Sequence, residues 1–306
     1  MILKNRKIYI ICFYLLLFLI AFLIVFLSFK HEKSESYELT GYYQPAVFHL
    51  PPDVVQTEQG ITSPISKTIS STTRKEKTKS SVKIHLPILM FHYVEPLTGK
   101  EDRLRVGLTT TNIVFEEQLK TLQKEKFQTI FARDVKEYFS GQKALLNKSV
   151  VLTFDDGYED FYTYVFPLLK KYQAKATVYV IYDAINTKNY LTDEQISEML
   201  NSGLVEVGSH TLDHKNLKDI NSIEANRQIV LSKELFEKRF KIRVSTFAYP
   251  FGGFNKEVLT LTKEAKYDSA LSVIPGTYQS IDNIYYLFRL RPGSRTGQQL
   301  IKILEN

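Results

Sequence analysis

Hydrophobic and polar positions divide the chain into three stretches. Residues 8–29, from Ile8-Tyr9-Ile10 through Leu27-Ser28-Phe29, carry no charge and are almost wholly apolar. About 20 such residues, as helix, cross a bilayer core of about 30 Å. The expectation is a cytoplasmic N-terminus and transmembrane helix over residues 1–30. Residues 31–83 are dominated by Ser, Thr, Lys, Gln and Pro, with a near-unbroken polar run from Ser66 to Ser81. Such a segment cannot bury enough apolar area to offset its ordering entropy, and it reads as a flexible tether. Over residues 84–306 short apolar runs alternate with helical periodicity, which marks the folded domain.

Within that domain the apolar runs predict strands near Leu86–Phe91, Val150–Phe154, Ala176–Ile181, Leu204–Val207, Val244–Ala248, Ala270–Val273 and Tyr286–Leu290. Helices fall between most of them. One begins near Asn112, with Phe115, Leu119 and Leu122 on one face. Others cover about Glu159–Tyr172, Ile223–Phe240 and Asn255–Ala265. A further helix opens at Thr192-Asp193-Glu194-Gln195, a capping box, and closes at Gly203. Strands alternating with helices predict an α/β fold with parallel strands, a distorted (β/α)7-type barrel. An open doubly wound sheet is the alternative.

Charge adds direction rather than a partner. The formal net charge is +7, but Lys4, Arg6 and Lys7 precede the apolar run. Their position predicts an N-terminus inside and the domain outside, single-pass on the cell membrane. A cleaved signal peptide is the rival, although no A-x-A-like site follows Phe29. The remaining charge over residues 84–306 is nearly balanced and offers no footprint for nucleic acid. The single cysteine, Cys12, lies in the apolar run, so neither an internal disulfide nor a cysteine metal cluster is expected.

Polar chemistry collects where strands end. Five predicted strands run into Phe91-His92, Phe154-Asp155-Asp156-Gly157, Gly208-Ser209-His210, Tyr249-Pro250-Phe251-Gly252 and Phe288-Arg289. In parallel α/β barrels catalytic groups gather at this C-terminal rim. Adjacent Asp155 and Asp156 repel unless a cation or proton separates them, so a metal bound to one leaves the other free as a base. An acidic Asp-Gly turn is the plain alternative. His210 and His214 stand at i, i+4, which on a helical turn puts both imidazoles on one side. Two His and one Asp make a three-ligand site with room for water; a surface His pair is the plain alternative. His92 is suited to protonating a leaving nitrogen, or is structural. The Pro250 and Gly252-Gly253 loop offers backbone N–H groups to an oxyanion, while its aromatics serve equally well as core.

These motifs resemble the polysaccharide deacetylases of carbohydrate esterase family 4, the NodB homology domain, over about residues 86–291. Thr153–Gly157 is similar to that family's first motif and His210–His214 to its H-[ST]-x-x-H motif. The resemblance implies Asp155 as base and Asp156, His210 and His214 as ligands of one divalent ion, zinc first, with cobalt, nickel or iron as alternatives. Two departures matter: Ala248 stands where the third motif commonly has Arg, and no His follows His214. Both match the branch acting on poly-β-1,6-N-acetyl-D-glucosamine, whose motifs look circularly permuted. There Phe91-His92-Tyr93-Val94 carries the acid and Arg289 supports the base, with Arg291 the alternative. The resemblance implies a membrane-held extracellular hydrolase that releases acetate from an amino-sugar polysaccharide. Phe251 N–H would then face the oxyanion, and Tyr158, Tyr249 and Phe251 would line the sugar groove. The rivals are a peptidoglycan or chitooligosaccharide N-deacetylase, a hemicellulose O-deacetylase, and an inactive wall-polysaccharide-binding module.

Overall fold

A computed structural model describes residues 82–306. The expected anchor and nearly all of the expected tether lie outside the described residues. Among the described residues no helix is long and apolar enough to cross a membrane.

In chain order the elements are β1 (Lys83–His85), β2 (Ile88–Phe91), β3 (Tyr93–Val94), α1 (Arg103–Leu108), β4 (Thr109–Thr110), α2 (Asn112–Lys124), β5 (Gln128–Ile130) and α3 (Val135–Ser140). There follow β6 (Ser149–Phe154), α4 (Phe166–Tyr172), β7 (Ala176–Val180), α5 (Asp193–Asn201), β8 (Val205–Ser209) and α6 (Ser222–Phe240). The chain ends with β9 (Thr246–Ala248), α7 (Lys256–Glu264), β10 (Ser269–Leu271), β11 (Tyr278–Ser280) and α8 (Gly297–Glu305). A seven-stranded parallel sheet runs β10-β9-β8-β7-β6-β2, with β5 also paired to β6.

The strands β6, β7 and β8 are buried along their whole length, as expected for parallel strands covered on both faces. Alternation then sorts their side chains. Leu89, Phe91, Val150, Leu152, Phe154, Val178, Val207 and Phe247 pack outward with Phe115 and Leu119 of α2 and Phe236 of α6. Ile88, Val151, Tyr179, Ala248, Leu271 and Leu287 form a second, smaller cluster on the other face. Asp155 continues the inward series of Val151 and Thr153, so the pleat itself aims it at the concave side.

The sheet is a curled half-barrel, and the expected seventh strand at Tyr286–Leu290 is corrected. That segment is extended but joins the sheet only through two isolated parallel bridges, Leu271↔Leu287 and Leu89↔Leu290. It thereby touches both edge strands, β10 and β2, without laddering along either. The sheet instead gains its seventh strand in β5, three residues with one buried position, too short to show alternation. Helix α5 has the expected capping box at Thr192 and Gln195, and Gly203 takes the left-handed conformation. The expected helix at Glu159–Tyr172 is two pieces, a π-helical turn at Phe161–Val165 followed by α4. Pro167 enters at the start of α4, where its missing N–H is tolerated.

Candidate active site

The C-terminal rim of the sheet collects five loops. Asp155 and Asp156 follow β6, His210–His214 follow β8, Tyr249–Gly253 follow β9, His92 lies between β2 and β3, and Arg289 arrives on the bridging segment. Gly157 closes the first loop with φ +76°, and a Cβ there would meet Val180 Cγ1 at 3.0 Å. The tight turn therefore needs glycine, and it seats the two aspartates against β7.

Arg289 grips Asp155. Its Nη1 donates to Asp155 Oδ1 and its Nη2 to Oδ2, each at 2.8 Å, while Nε donates to the Ser272 carbonyl and Nη1 also reaches Thr153 Oγ1. Both side chains are almost fully buried. Burial on its own would raise the Asp155 carboxyl, but the guanidinium charge and its two hydrogen bonds hold it below the ordinary value. Arg289 is thus joined to Asp155 by a bidentate pair.

Asp156 faces the other way. Its Oδ1 lies 3.3 Å from His210 Nε2 and 3.2 Å from His214 Nε2. One donor atom from each of the three residues falls within 4.8 Å of the others. Yet Asp156 Oδ1 is buried without a hydrogen-bond partner, which is costly unless a cation meets it. His210 Nδ1 sits 2.7 Å from the Ala248 carbonyl. A carbonyl only accepts, so in the neutral ring Nδ1 carries the proton and Nε2 presents its lone pair toward Asp156. Burial would raise Asp156 too, but positive charge and hydrogen bonds from the imidazoles, when they carry protons toward it, hold it well below the usual range, a place a bound cation would take instead. These donors fit a divalent ion of borderline softness held by two nitrogens and one oxygen.

The helical-turn argument for the His pair is corrected. Residues 210–214 form an irregular loop in which Thr211 (φ 71°) and His214 (φ 65°) are left-handed. The imidazoles converge because the loop folds back, with His214 N donating to Thr211 Oγ1. Positive φ recurs at Asp156 (77°) and Phe251 (57°). Such conformations cost about 1–3 kcal/mol each and persist where surrounding structure enforces them. Here Gln228 of α6 does part of the enforcing. It is fully buried, and its Oε1 accepts from Leu212 N and Asp213 N at 3.0 and 3.3 Å. Nothing in the sequence singled out Gln228; a polar residue on the buried side of an amphipathic helix was the available signal.

The remaining expected residues divide. Phe251 is exposed and its ring lies 4.6 Å from that of His214. Tyr158 stacks on Tyr93 at 4.0 Å and neighbours Tyr190 at 5.0 Å. The expectation that Tyr249 lines a sugar groove is corrected: it is 1% exposed, packs between Phe247 and Phe254, and donates to the Tyr285 carbonyl. His92 is half-buried at the rim; burial pushes its imidazole down to about 4, against the upward pull of Asp156 and Asp155.

Comparison with known proteins bears on family and fold. The profile of the family described as polysaccharide deacetylase matches residues 142–270. A Bacillus subtilis protein, YxkH, named as a polysaccharide deacetylase, is 31% identical over 232 residues, covering 74% of this chain and 80% of its own. Poly-beta-1,6-N-acetyl-D-glucosamine N-deacetylase of Staphylococcus aureus is 27% identical over 201 residues, 61% of this chain and 69% of that protein. Among solved structures, Streptococcus pyogenes deacetylase PplD in complex with acetate superposes with a TM-score of 0.67 at 26% identity, over 74% of this chain and 100% of that one. The fold and rim therefore define a hydrolase of the polysaccharide N-deacetylase class. The chain belongs to the polysaccharide deacetylase family, whose carbohydrate esterase family 4 members are metal-dependent.

Proposed function

We propose that this chain removes N-acetyl groups from poly-β-1,6-N-acetyl-D-glucosamine or a closely similar exported amino-sugar polymer. The observation that carries the reading is the orphaned Asp156 Oδ1 facing two imidazole nitrogens, beside a second carboxylate bound instead to arginine. Two adjacent aspartates with different partners suit two roles. Asp156, His210 and His214 hold a divalent ion, zinc in the first instance. When bound, such an ion polarises the acetyl carbonyl and acidifies an attacking water.

The chain's own groups complete the chemistry. Asp155 takes one proton from water as its oxygen bonds to the acetyl carbon. Arg289 occupies one lone pair on each carboxylate oxygen, and the remaining lone pairs stay available to the water. The backbone N–H of Phe251 faces the developing oxyanion. The C–N bond then breaks and acetate leaves as His92, protonated from solvent during the reaction, gives that proton to the departing nitrogen, and Asp155 returns its own proton to solvent. An imidazole held low by burial is neutral in the resting chain; negative charge gathering on the tetrahedral carbon's oxygen favours its protonation during the reaction. Tyr158 and Phe251 offer aromatic faces to sugar rings on either side.

The polymer assignment draws on the Staphylococcus aureus relative and on the placement of His92 before, and Arg289 after, the other motif residues. An apolar segment at residues 8–29 would keep the domain at the membrane's outer face. The test is acetate release from poly-β-1,6-N-acetylglucosamine, chitin oligomers and peptidoglycan fragments, with wild type and Asp155→Asn. The reading expects preference for the β-1,6 polymer and loss in the variant. Equal rates for the two proteins would end it.

A further inference from the structure

His92 stands in a segment with little support of its own. Strand β3 is two residues long and pairs only with the two-residue β4, outside the main sheet. Two hydrogen bonds tie it to the segment that carries the aspartates, one on each side of His92. Before it, Asp155 N donates to the Phe91 carbonyl at 3.0 Å. After it, Val94 N donates to a carboxylate oxygen of Asp160. Tyr93 adds its ring, stacked on Tyr158 at 4.0 Å with the Arg105 guanidinium 4.2 Å above it.

We infer that Asp160 is a positioning residue, the second of two ties that hold His92 in register with Asp155 and Asp156. The inference rests on the role proposed for His92. A backbone N–H in a ladder this short has few alternative acceptors, and Val94 is fully buried, so a missing acceptor is not replaced by bulk water. Proton transfer falls off with small displacements of the donor, so a tie on one side alone leaves His92 free to swing about Phe91.

The placement works against stability, which is itself informative. Asp160 sits where burial pushes its carboxyl up to about 7, with Glu95 raising it further and Arg105, itself paired to Glu95 at 2.7 Å, opposing. A carboxyl raised above its unfolded value penalises the folded state as pH rises from about 4 to about 7, and fully above that. An asparagine there would accept from Val94 N without the charge. The tie needs an acceptor at this place rather than its charge, so the amide variant separates the two.

The experiment uses the full chain with Asp160→Asn and Asp160→Ala. Hydrogen–deuterium exchange is read on peptides spanning residues 91–96, and acetate release on poly-β-1,6-N-acetylglucosamine oligomers. Asp160→Ala should speed exchange there about tenfold or more and lower kcat by about 10- to 100-fold with KM within about twofold. Asp160→Asn should keep protection and most of kcat. It should also melt a few degrees above wild type at pH 8, a gap that closes toward pH 4. Unchanged exchange in Asp160→Ala, or equal losses in both variants, would overturn the inference. Absence of acetate release by wild type would instead count against the polymer assignment, while exchange and melting would still decide the role of Asp160.

Discussion

Two carboxylates buried at opposite ends of the parallel sheet, Glu206 and Asp155, meet opposite surroundings. At the N-terminal end Glu206 of β8 is 3% exposed and accepts only from Thr177 Oγ1 and Arg133 N. Burial dominates there and pushes its carboxyl up to about 7. At the C-terminal end Asp155 is equally buried, yet the bidentate Arg289 reverses the sign and keeps it ionised. Asp156 is buried too, and meets two imidazoles at 3.2–3.3 Å instead of hydroxyl and amide donors. Desolvation is thus common to both ends, and the difference lies in the cations supplied. Among these three carboxylates, the two beside the proposed chemistry are held ionised and Glu206 is not.

Breaking the contrast at its strongest point should have the largest effect. Arg289→Met leaves the Asp155 charge buried without its partner, a loss of about 3–5 kcal/mol in such pairs. Denaturant unfolding should show that loss together with near-absent turnover. Asp155→Asn comes next, with acetate release down by about 10³-fold, in the range for removing a general base. Initial rates at saturating polymer would show it, and a loss of less than tenfold would remove Asp155 from the base role.

At the other end Glu206→Gln should stabilise the fold by on the order of 1–3 kcal/mol above pH 7. The sign follows from a raised carboxyl: its penalty is absent near pH 4, grows through the window between the unfolded value and about 7, and is complete above it. Unfolding curves at pH 4.5 and pH 8 should therefore diverge only at the higher pH, with kcat unchanged. The smallest effect belongs to Tyr249→Phe. Losing its hydrogen bond to the Tyr285 carbonyl should cost about 1 kcal/mol and leave kcat and KM unaltered, because the side chain is core.

Most of the rim was legible in the sequence because its residues sit at strand ends, where an apolar run stops abruptly at Asp155, His210 or His92. The parallel architecture was legible for the same reason, since β6 and β7 are buried on both faces and read as nearly continuous apolar runs. What escaped notice lacked a period. Strand β5 is three residues long, and the segment at Tyr286–Leu290 looks like a strand in composition but bridges two edges singly. The His210–His214 spacing suggested a helical turn, whereas the convergence depends on left-handed Thr211 and His214 and on Gln228 from α6. The burial of Tyr249 is not legible in the sequence, because loop residues beside a motif carry no record of which side they face. The Phe91-His92 segment shows its dependence on Asp160 only in three dimensions, across 66 residues.

The division of labour between the adjacent aspartates is the central claim, and metal titration tests it most directly. Chelator-stripped full chain would be titrated with zinc as wild type, Asp155→Asn and Asp156→Asn. The account predicts one ion per chain for wild type and Asp155→Asn, and affinity weakened by about 10- to 100-fold or more for Asp156→Asn. Equal affinity in the two variants, whether retained or lost, would contradict it.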